Sequence, residues 1–136
     1  MTPDGVSYAF KGEFSESQIK DYFRHIANGL KTLHDLGVAH RDIKPQNILL
    51  DREGPYLIDF SCSYLIPKGG TDEITSTEGT YHFMAPEMCD CDVKVYNAKK
   101  VDVWALGVTL YCMVFNTVPF SQDTGNPYHV MENIKN

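Results

Sequence analysis

The chain has 136 residues, a net charge of −6 at pH 7, 43% hydrophobic residues and 12% aromatic residues. This length suits one domain or a part of one, and the composition supports a compact core, which argues against a disordered chain. The negative charge argues against binding to nucleic acid or to an anionic membrane surface, so neither is expected as a partner. The N-terminus lacks a signal-peptide pattern and the longest apolar stretch, 103–115, is too short to span a bilayer, so a cytoplasmic protein is expected.

The first strong element in chain order is an amphipathic helix. Ser15 followed by Gln18 has the pattern of a capping box, and Gly37 is a plausible helix stop. Between them, apolar residues recur at helical spacing, namely Ile19, Tyr22, Phe23, Ile26, Leu30 and Leu33. The two histidines of this helix, His25 and His34, are interpreted as ordinary surface or boundary residues.

The segment 40–47, His-Arg-Asp-Ile-Lys-Pro-Gln-Asn, places a carboxylate, an ammonium group and an amide in one short loop. A carboxylate beside an acceptor hydroxyl can orient it and take its proton, and this is the role predicted for Asp42. Lys44 would put a positive charge beside a transferring phosphoryl group. Asn47 offers a neutral oxygen ligand of the kind that Mg²⁺ binds. Taken singly, the three also have structural interpretations as a turn cap, a solvated lysine and a loop anchor.

Two short apolar stretches, 48–50 and 56–58, flank a segment of turn formers at 51–55 and predict a β-hairpin. Asn47 precedes the first strand and Asp59 follows the second. Antiparallel pairing therefore brings both side chains to the same end of the ribbon. There Asp59, as a harder anionic ligand, would complete an Mg²⁺ site with Asn47.

Residues 61–84 form a long connection rich in Gly, Ser and Thr, and such connections are usually functional or disordered. A phosphate added to this segment could pair with Arg41 and order it. Ser76 and Thr77 are the two candidates, and the sequence does not decide between them. The alternative is that these hydroxyls belong to a flexible linker.

The apolar segment 101–115 predicts a helix that is buried on most sides, because it is apolar nearly all round. Asp102 near its start is either an N-terminal helix cap or a buried anchor for another backbone segment. Cys112 is expected to be a small core residue. A loop follows, and a last helix is predicted from Tyr128 to Lys135.

Several motifs in a fixed order resemble the serine/threonine protein kinase family from about Phe14 onward. They are His-Arg-Asp at 40–42, Asp-Phe-Ser at 59–61, Gly-Thr at 79–80, Ala-Pro-Glu at 85–87 and Asp-Val-Trp-Ala-Leu-Gly at 102–107. The resemblance implies an α+β fold, namely the mainly helical large lobe of a protein kinase with a short β-hairpin. The small lobe and the final helices would be absent, so that residues 1–136 would form a partial domain.

The resemblance also implies the chemistry. It is that of an ATP-dependent enzyme that uses Mg²⁺ and transfers the γ-phosphoryl group to Ser or Thr hydroxyls of a protein substrate. Asp42 would accept the proton, Lys44 would contact the transferring group, and Asn47 and Asp59 would hold Mg²⁺. Leu49 would lie under the adenine ring of ATP.

A regulatory role follows for Arg41, Ser76, Thr77 and Thr80, with an upstream activating kinase as a candidate partner. By the same resemblance, His40 would stack on Phe60.

Two residue choices mark the branch of the family. Lys44 after the catalytic Asp and Thr80 after Gly79 are typical of Ser/Thr-directed rather than tyrosine-directed kinases. The segments 79–87 and 102–115 are most similar to calcium/calmodulin-dependent protein kinase kinases.

The chain also departs from the family pattern. Ser61 replaces the glycine of the metal-binding motif, and its Cβ restricts the backbone, which could slow flipping of the motif or shift its resting state. No glycine-rich phosphate loop or strand lysine lies upstream of Ser15, and the arginine that usually pairs with Glu87 is missing. The chain alone is therefore expected to transfer little or no phosphate. A non-catalytic kinase-like binding or regulatory module stays open as the alternative.

Overall fold

The computed structural model describes residues 14–120 and 126–136. Its helices are α1 (Glu16–Asp35), α2 (Pro86–Cys89), α3 (Ala98–Phe115) and α4 (Pro127–Lys135). Its strands are β1 (Val38–Ala39), β2 (Ile48–Asp51), β3 (Gly54–Leu57), β4 (Tyr64–Leu65), β5 (Glu73–Ile74) and β6 (Tyr96–Asn97). The strands pair as three antiparallel ribbons, β1 with β4, β2 with β3 and β5 with β6. This mixture of helices and small sheets confirms the α+β prediction.

Helix α1 begins and ends where the sequence predicts. The Ser15 hydroxyl accepts a hydrogen bond from the Gln18 backbone N–H at 3.1 Å, and the Gln18 side chain accepts one from the Ser15 N–H at 3.0 Å. The capping box is therefore complete at the N-terminus of the helix. At the other end Gly37 has a left-handed φ of 78°, which a glycine adopts at little cost and which ends the helix.

The predicted hairpin is also present, as the ribbon of β2 and β3. Ile48 pairs with Leu57 at its base, and the Ile58 N–H donates to the Asn47 carbonyl at 2.9 Å. Asn47 and Ile58 therefore face each other across the ribbon, and Asp59 follows directly.

The main core lies between α1, the segment 40–48 and α3. Its buried side chains are Ile26, Leu30, Ile43, Ile48, Phe83, Ala105, Leu106, Val108, Cys112 and Met113. Cys112 is a core residue, as predicted. Ile43 within the polar loop and Ile48 directly after it are fully buried. Removing these side chains from water stabilises the loop against the helices.

The long connection at 61–84 is more ordered than the sequence indicated. It contains β4, β5 and a short 3-10 turn at Tyr81–Phe83. Both strands have only two residues and pair with distant segments of the chain. A pattern of period two cannot be recognised in two residues, so the sequence gives no local signal for them.

The apolar helix α3 is buried on most of its sides, as predicted, but one face is exposed. Val103 is 58% exposed and Phe115 is 60% exposed, because no segment within residues 14–120 and 126–136 packs against this face. Trp104 and Gly107 border an open, mainly apolar groove of about 720 Å³ on the same side of the helix. Glu87 also lines this groove, and among the described residues it forms no ion pair.

The longest helices that the structure describes are α1, with 20 residues, and α3, with 18 residues. Within the two described ranges, none combines the length and the hydrophobicity that crossing a bilayer requires.

Candidate active site

The polar loop is held by a buried carboxylate of α3. Asp102 is 0% exposed, and its two oxygens accept hydrogen bonds from the backbone N–H groups of His40 and Arg41, each at 2.8 Å. The helix cap is Asn97, whose side chain accepts from the Lys100 N–H at 3.0 Å. Of the two interpretations that the sequence left open for Asp102, the buried anchor is therefore the correct one.

A second contact to this anchor was missed by the sequence analysis. The His34 ring, 13% exposed, lies with Nε2 at 2.8 Å from Oδ2 of Asp102. His34 thus ties α1 to α3 at the base of the loop. The sequence places His34 on the buried stripe of Ile26 and Leu30, at a spacing of four residues, but it does not identify Asp102 as the partner.

Four polar side chains of the predicted site form one connected network. Lys44 Nζ donates to the Thr80 hydroxyl at 2.6 Å, and the same hydroxyl donates to Asp42 Oδ1 at 3.0 Å. Lys44 Nζ also lies 3.7 Å from Asp42 Oδ2. The Asn47 amide nitrogen donates to the Asp42 carbonyl at 2.8 Å and to Oδ2 at 3.1 Å. The carboxylate of Asp42 is therefore oriented by three neighbours.

Gly79 explains how Thr80 reaches this network. Its φ is 106°, and a Cβ built on it would lie 2.5 Å from the Arg41 carbonyl oxygen. Only a glycine combines this backbone angle with this close approach. The approach brings the segment at 79–80 against the loop at 41–42.

His40 connects the loop to the end of β3. Its Nδ1 accepts a hydrogen bond from the Asp42 N–H at 3.1 Å, so its Nε2 carries the hydrogen that is donated to the Ile58 carbonyl at 2.9 Å. The His40 ring meets the Phe60 ring edge-on, with centroids 5.1 Å apart. The resemblance implied that these two rings stack; they are in contact, but as an edge-to-face pair.

Asp59 follows β3 with an unusual backbone. Its φ is 60°, in the left-handed region, and its Oδ1 accepts hydrogen bonds from the Ser61 hydroxyl at 2.6 Å and from the Ser61 N–H at 3.2 Å. The hydroxyl contact is the main reason why the pKa of Asp59 lies below its ordinary value, and the N–H contact adds to it. Asp59 is therefore held as a carboxylate.

The donor set at this end of the ribbon fits a magnesium ion. The amide nitrogen of Asn47 is bound to Asp42, so the amide oxygen is the atom with which Asn47 would bind a cation. Asp59 follows the residue opposite Asn47 and supplies carboxylate oxygens. A neutral and an anionic oxygen donor are the ligands that a hard divalent cation prefers.

Leu49, predicted to lie under adenine, is on β2 and is 44% exposed. It pairs with Tyr56 of β3, whose side chain is also exposed. The two apolar side chains thus form an uncovered surface on the ribbon whose end carries Asn47 and Asp59.

The predicted regulatory hydroxyls are not equivalent in the structure. The Arg41 guanidinium donates to the Ser76 hydroxyl at 2.9 Å and to the Cys62 carbonyl at 2.7 Å. The Thr77 hydroxyl instead lies 3.4 Å from the Tyr96 hydroxyl. Of the two candidates, the structure brings Ser76 to Arg41.

Comparisons with known proteins agree with this geometry. Residues 5–136 match the family described as protein kinase domain. The chain is 38% identical over 134 residues to a probable serine/threonine-protein kinase of Dictyostelium discoideum, covering 98% of this chain and 19% of that protein. It is 43% identical over 115 residues to serine/threonine-protein kinase ssp1 of Schizosaccharomyces pombe, covering 79% of this chain and 18% of that protein.

A plant relative gives the same result. The chain is 41% identical over 114 residues to serine/threonine-protein kinase GRIK2 of Arabidopsis thaliana, covering 83% of this chain and 28% of that protein. The chain therefore spans less than a third of the length of each of these curated relatives.

Proposed function

The chain belongs to the protein kinase domain family, and from this premise we propose that it carries the catalytic loop of an ATP-dependent Ser/Thr protein kinase. The enzyme transfers the γ-phosphoryl group of ATP to Ser or Thr hydroxyls of a protein substrate. The observation that carries the proposal is the hydrogen-bonded network of Asp42, Lys44, Asn47 and Thr80. Phosphoryl transfer needs alignment of the acceptor and charge neutralisation more than covalent help, and this network offers both.

Each side chain has a role that its contacts support. Asp42 orients the substrate hydroxyl and accepts its proton, with its carboxylate held by Asn47 and Thr80. Lys44, fixed by the Thr80 hydroxyl, holds a positive charge beside the transferring group. Asn47 and Asp59 would hold Mg²⁺, which when bound neutralises charge on the nucleotide phosphates.

Regulation by phosphorylation of the segment 61–84 belongs to the same proposal. The distance of 2.9 Å between the Arg41 guanidinium and the Ser76 hydroxyl supports Ser76 over Thr77 as the acceptor. A phosphate on Ser76 would add charge-assisted hydrogen bonds to Arg41, whose backbone N–H is bound to Asp102. An upstream kinase that phosphorylates Ser76 is therefore a proposed partner.

We also propose a closer likeness to calcium/calmodulin-dependent protein kinase kinases. Its support is the sequence of the segments 79–87 and 102–115. The three relatives described above are named as serine/threonine-protein kinases, and the narrower assignment rests on those two segments alone.

The test is transfer of radiolabelled phosphate from [γ-³²P]ATP to a general protein acceptor such as myelin basic protein, by the gene product that contains this chain. Asp42→Asn is expected to lower the rate by about a hundredfold or more, the usual scale for removing a general base. Asp51→Asn is the matched control, because Asp51 is an exposed carboxylate at the turn of the same ribbon.

Phosphoamino acid analysis of the product should give phosphoserine or phosphothreonine and no phosphotyrosine. Equal transfer by Asp42→Asn and the unaltered protein would contradict the proposed role of Asp42. No transfer by any form of the gene product would instead support the alternative of a non-catalytic module.

A further inference from the structure

The third residue of the metal-binding motif at 59–61 carries a side-chain hydroxyl, whereas the family pattern has a glycine without a side chain. Ser61 stands in the glycine position, and its hydroxyl is 2.6 Å from Oδ1 of Asp59. The Ser61 backbone N–H reaches the same oxygen at 3.2 Å. Any residue except proline could supply the N–H at this position, so the hydroxyl is the contact that this chain adds.

We propose that Ser61 is a positioning residue for Asp59: its hydroxyl holds Oδ1 and thereby fixes the carboxylate that binds the metal ion. The inference rests on the proposed function, since Asp59 is a metal ligand only within that proposal. Ser61 itself does not touch the reacting atoms. It acts through Asp59.

The distances show that the hydroxyl is the tighter of the two donors. An O–H···O⁻ contact of 2.6 Å is in the range of charge-assisted hydrogen bonds, which are about twice as strong as neutral ones. The N–H contact at 3.2 Å is at the long end for an N–H donor. The side chain of Ser61 therefore contributes more to the orientation of Asp59 than its backbone does.

Both hydrogen bonds are accepted by the same oxygen of the Asp59 carboxylate, Oδ1. Within residues 14–120 and 126–136, no donor contacts Oδ2 of Asp59, which leaves that oxygen accessible. Asp59 also has a left-handed φ of 60°, a conformation that Asp adopts when its side chain hydrogen-bonds locally. The two hydrogen bonds from Ser61 thus stabilise both the left-handed φ of Asp59 and the orientation of its carboxylate.

Partners that hydrogen-bond a ligating carboxylate tune the affinity of metal sites, and their removal costs about 10- to 100-fold. Ser61 and Asp59 are both exposed to solvent, where water competes with the hydroxyl. The expected loss is therefore at the low end, about tenfold.

The experiment titrates the 136-residue chain with Mn²⁺ alone, as a paramagnetic substitute for Mg²⁺, and follows backbone amide signals by NMR. In the unaltered chain, the amides of Asn47, Asp59 and Ser61 should broaden before those of the remaining residues. Ser61→Ala should raise the Mn²⁺ concentration at half-broadening about tenfold. Ser61→Thr keeps a hydroxyl and should stay within about twofold of the unaltered chain.

Ser63→Ala is the matched control, because it removes a hydroxyl from the same segment that does not contact Asp59. Ser61→Gly is a second variant without the hydroxyl, to be used should Ser61→Ala lose the signal dispersion of a folded chain. It too should raise the midpoint about tenfold.

The outcomes separate this inference from the function on which it rests. A midpoint unchanged in Ser61→Ala or Ser61→Gly, with broadening still localised at the ribbon end, would overturn the role of Ser61 and leave the metal site standing. Absence of localised broadening in the unaltered chain would overturn the metal site itself, and the role of Ser61 with it.

Discussion

The Thr80 hydroxyl donates a hydrogen bond to Oδ1 of Asp42 at 3.0 Å. This contact joins the loop at 40–47 to the segment that precedes α2. Lys44 donates to the same hydroxyl at 2.6 Å, so one oxygen atom links the carboxylate and the ammonium group of the site. Thr80 therefore orients both charged groups without itself being charged.

Thr80→Val should show what this hydroxyl contributes. Asp42 and Lys44 are mostly buried, with side-chain exposures of 12% and 19%, and each would lose a hydrogen-bond partner. We expect the free energy of unfolding to fall by about 1–3 kcal/mol, measured by urea denaturation. Thr80→Ser retains the hydroxyl and should lie within about 1 kcal/mol of the unaltered chain. Equal stability of the Val and Ser variants would show that the Thr80 hydroxyl makes no net contribution to the free energy of unfolding.

His34 and Asp102 should be energetically coupled. His34→Ala removes one partner of the buried carboxylate and should cost about 1–3 kcal/mol. Asp102→Ala leaves the backbone donors of His40 and Arg41 unpaired and should cost about 3 kcal/mol or more. A double-mutant cycle followed by urea denaturation should give a coupling energy of about 0.5–3 kcal/mol.

A histidine on the same helix provides the control for this cycle. His25 is exposed, and within the described residues its ring hydrogen-bonds only to the Asp21 carbonyl of its own helix. His25→Ala should change the free energy of unfolding by less than about 0.5 kcal/mol and should show no coupling to Asp102. A coupling energy near zero for His34 would contradict the tie between α1 and α3.

Two glycines should respond to alanine with opposite signs. In Gly79→Ala the new Cβ would lie 2.5 Å from the Arg41 carbonyl and the φ of 106° would be strained. The variant should lose about 1–3 kcal/mol of unfolding free energy, since part of the loop must shift. Gly29 lies within α1 and has nothing within 4 Å of a built Cβ.

Gly29→Ala should therefore stabilise the chain by about 0.5–1 kcal/mol, because alanine has the higher helix propensity. Thermal unfolding of both variants followed by circular dichroism measures the two effects. A Gly79→Ala variant as stable as the unaltered chain would show that the close approach to Arg41 is not required.

Local signals account for the parts of the fold that the sequence predicted. The helix α1 follows from its capping residues and its apolar spacing, and the ribbon follows from two apolar stretches around a turn. The convergence of Asn47 with the residue next to Asp59 follows from antiparallel pairing alone. These features depend on residues that are close together in the chain.

Features that depend on distant residues were not predictable in the same way. The partner of His34 is 68 residues further along the chain, so its role requires knowledge of how α1 and α3 pack. The choice between Ser76 and Thr77 depends on the path of a segment that is fixed by β4 and β5. The sequence also did not reveal the exposed face of α3. An apolar sequence favours burial, but it does not show which faces of a helix other segments will cover.

Phosphorylation of Ser76 should raise the activity of the gene product that contains this chain. The phosphate would strengthen the existing contact to Arg41 by at least one charge-assisted hydrogen bond, which corresponds to about a tenfold effect. After treatment with an activating kinase, Ser76→Ala should therefore show about tenfold lower transfer from [γ-³²P]ATP. Thr77→Ala is the control and should keep its activity, since Thr77 faces Tyr96. Equal loss in both variants would argue against a specific role for Ser76.

Cys89 should make the stability of the chain depend on pH in the alkaline range. Burial, together with the smaller effect of the nearby Glu87 and Glu132 carboxylates, raises the pKa of its thiol to about 11. The unfolded chain has an ordinary thiol pKa of about 8.5, so between these two values the folded chain holds a proton that the unfolded chain has lost. The stability from this group is therefore fully present below about pH 8.5 and is lost as the pH rises through 11.

Comparison with a variant isolates this effect from other groups that titrate in the same range. The difference in unfolding free energy between the unaltered chain and Cys89→Ala should shrink from pH 8 to pH 11. Cys91 is exposed, and at pH 8 it should react with a thiol reagent far faster than Cys89, of which only about one thousandth is thiolate. Equal labelling rates for the two thiols in the folded chain would show that Cys89 is accessible and that its pKa is not raised by burial.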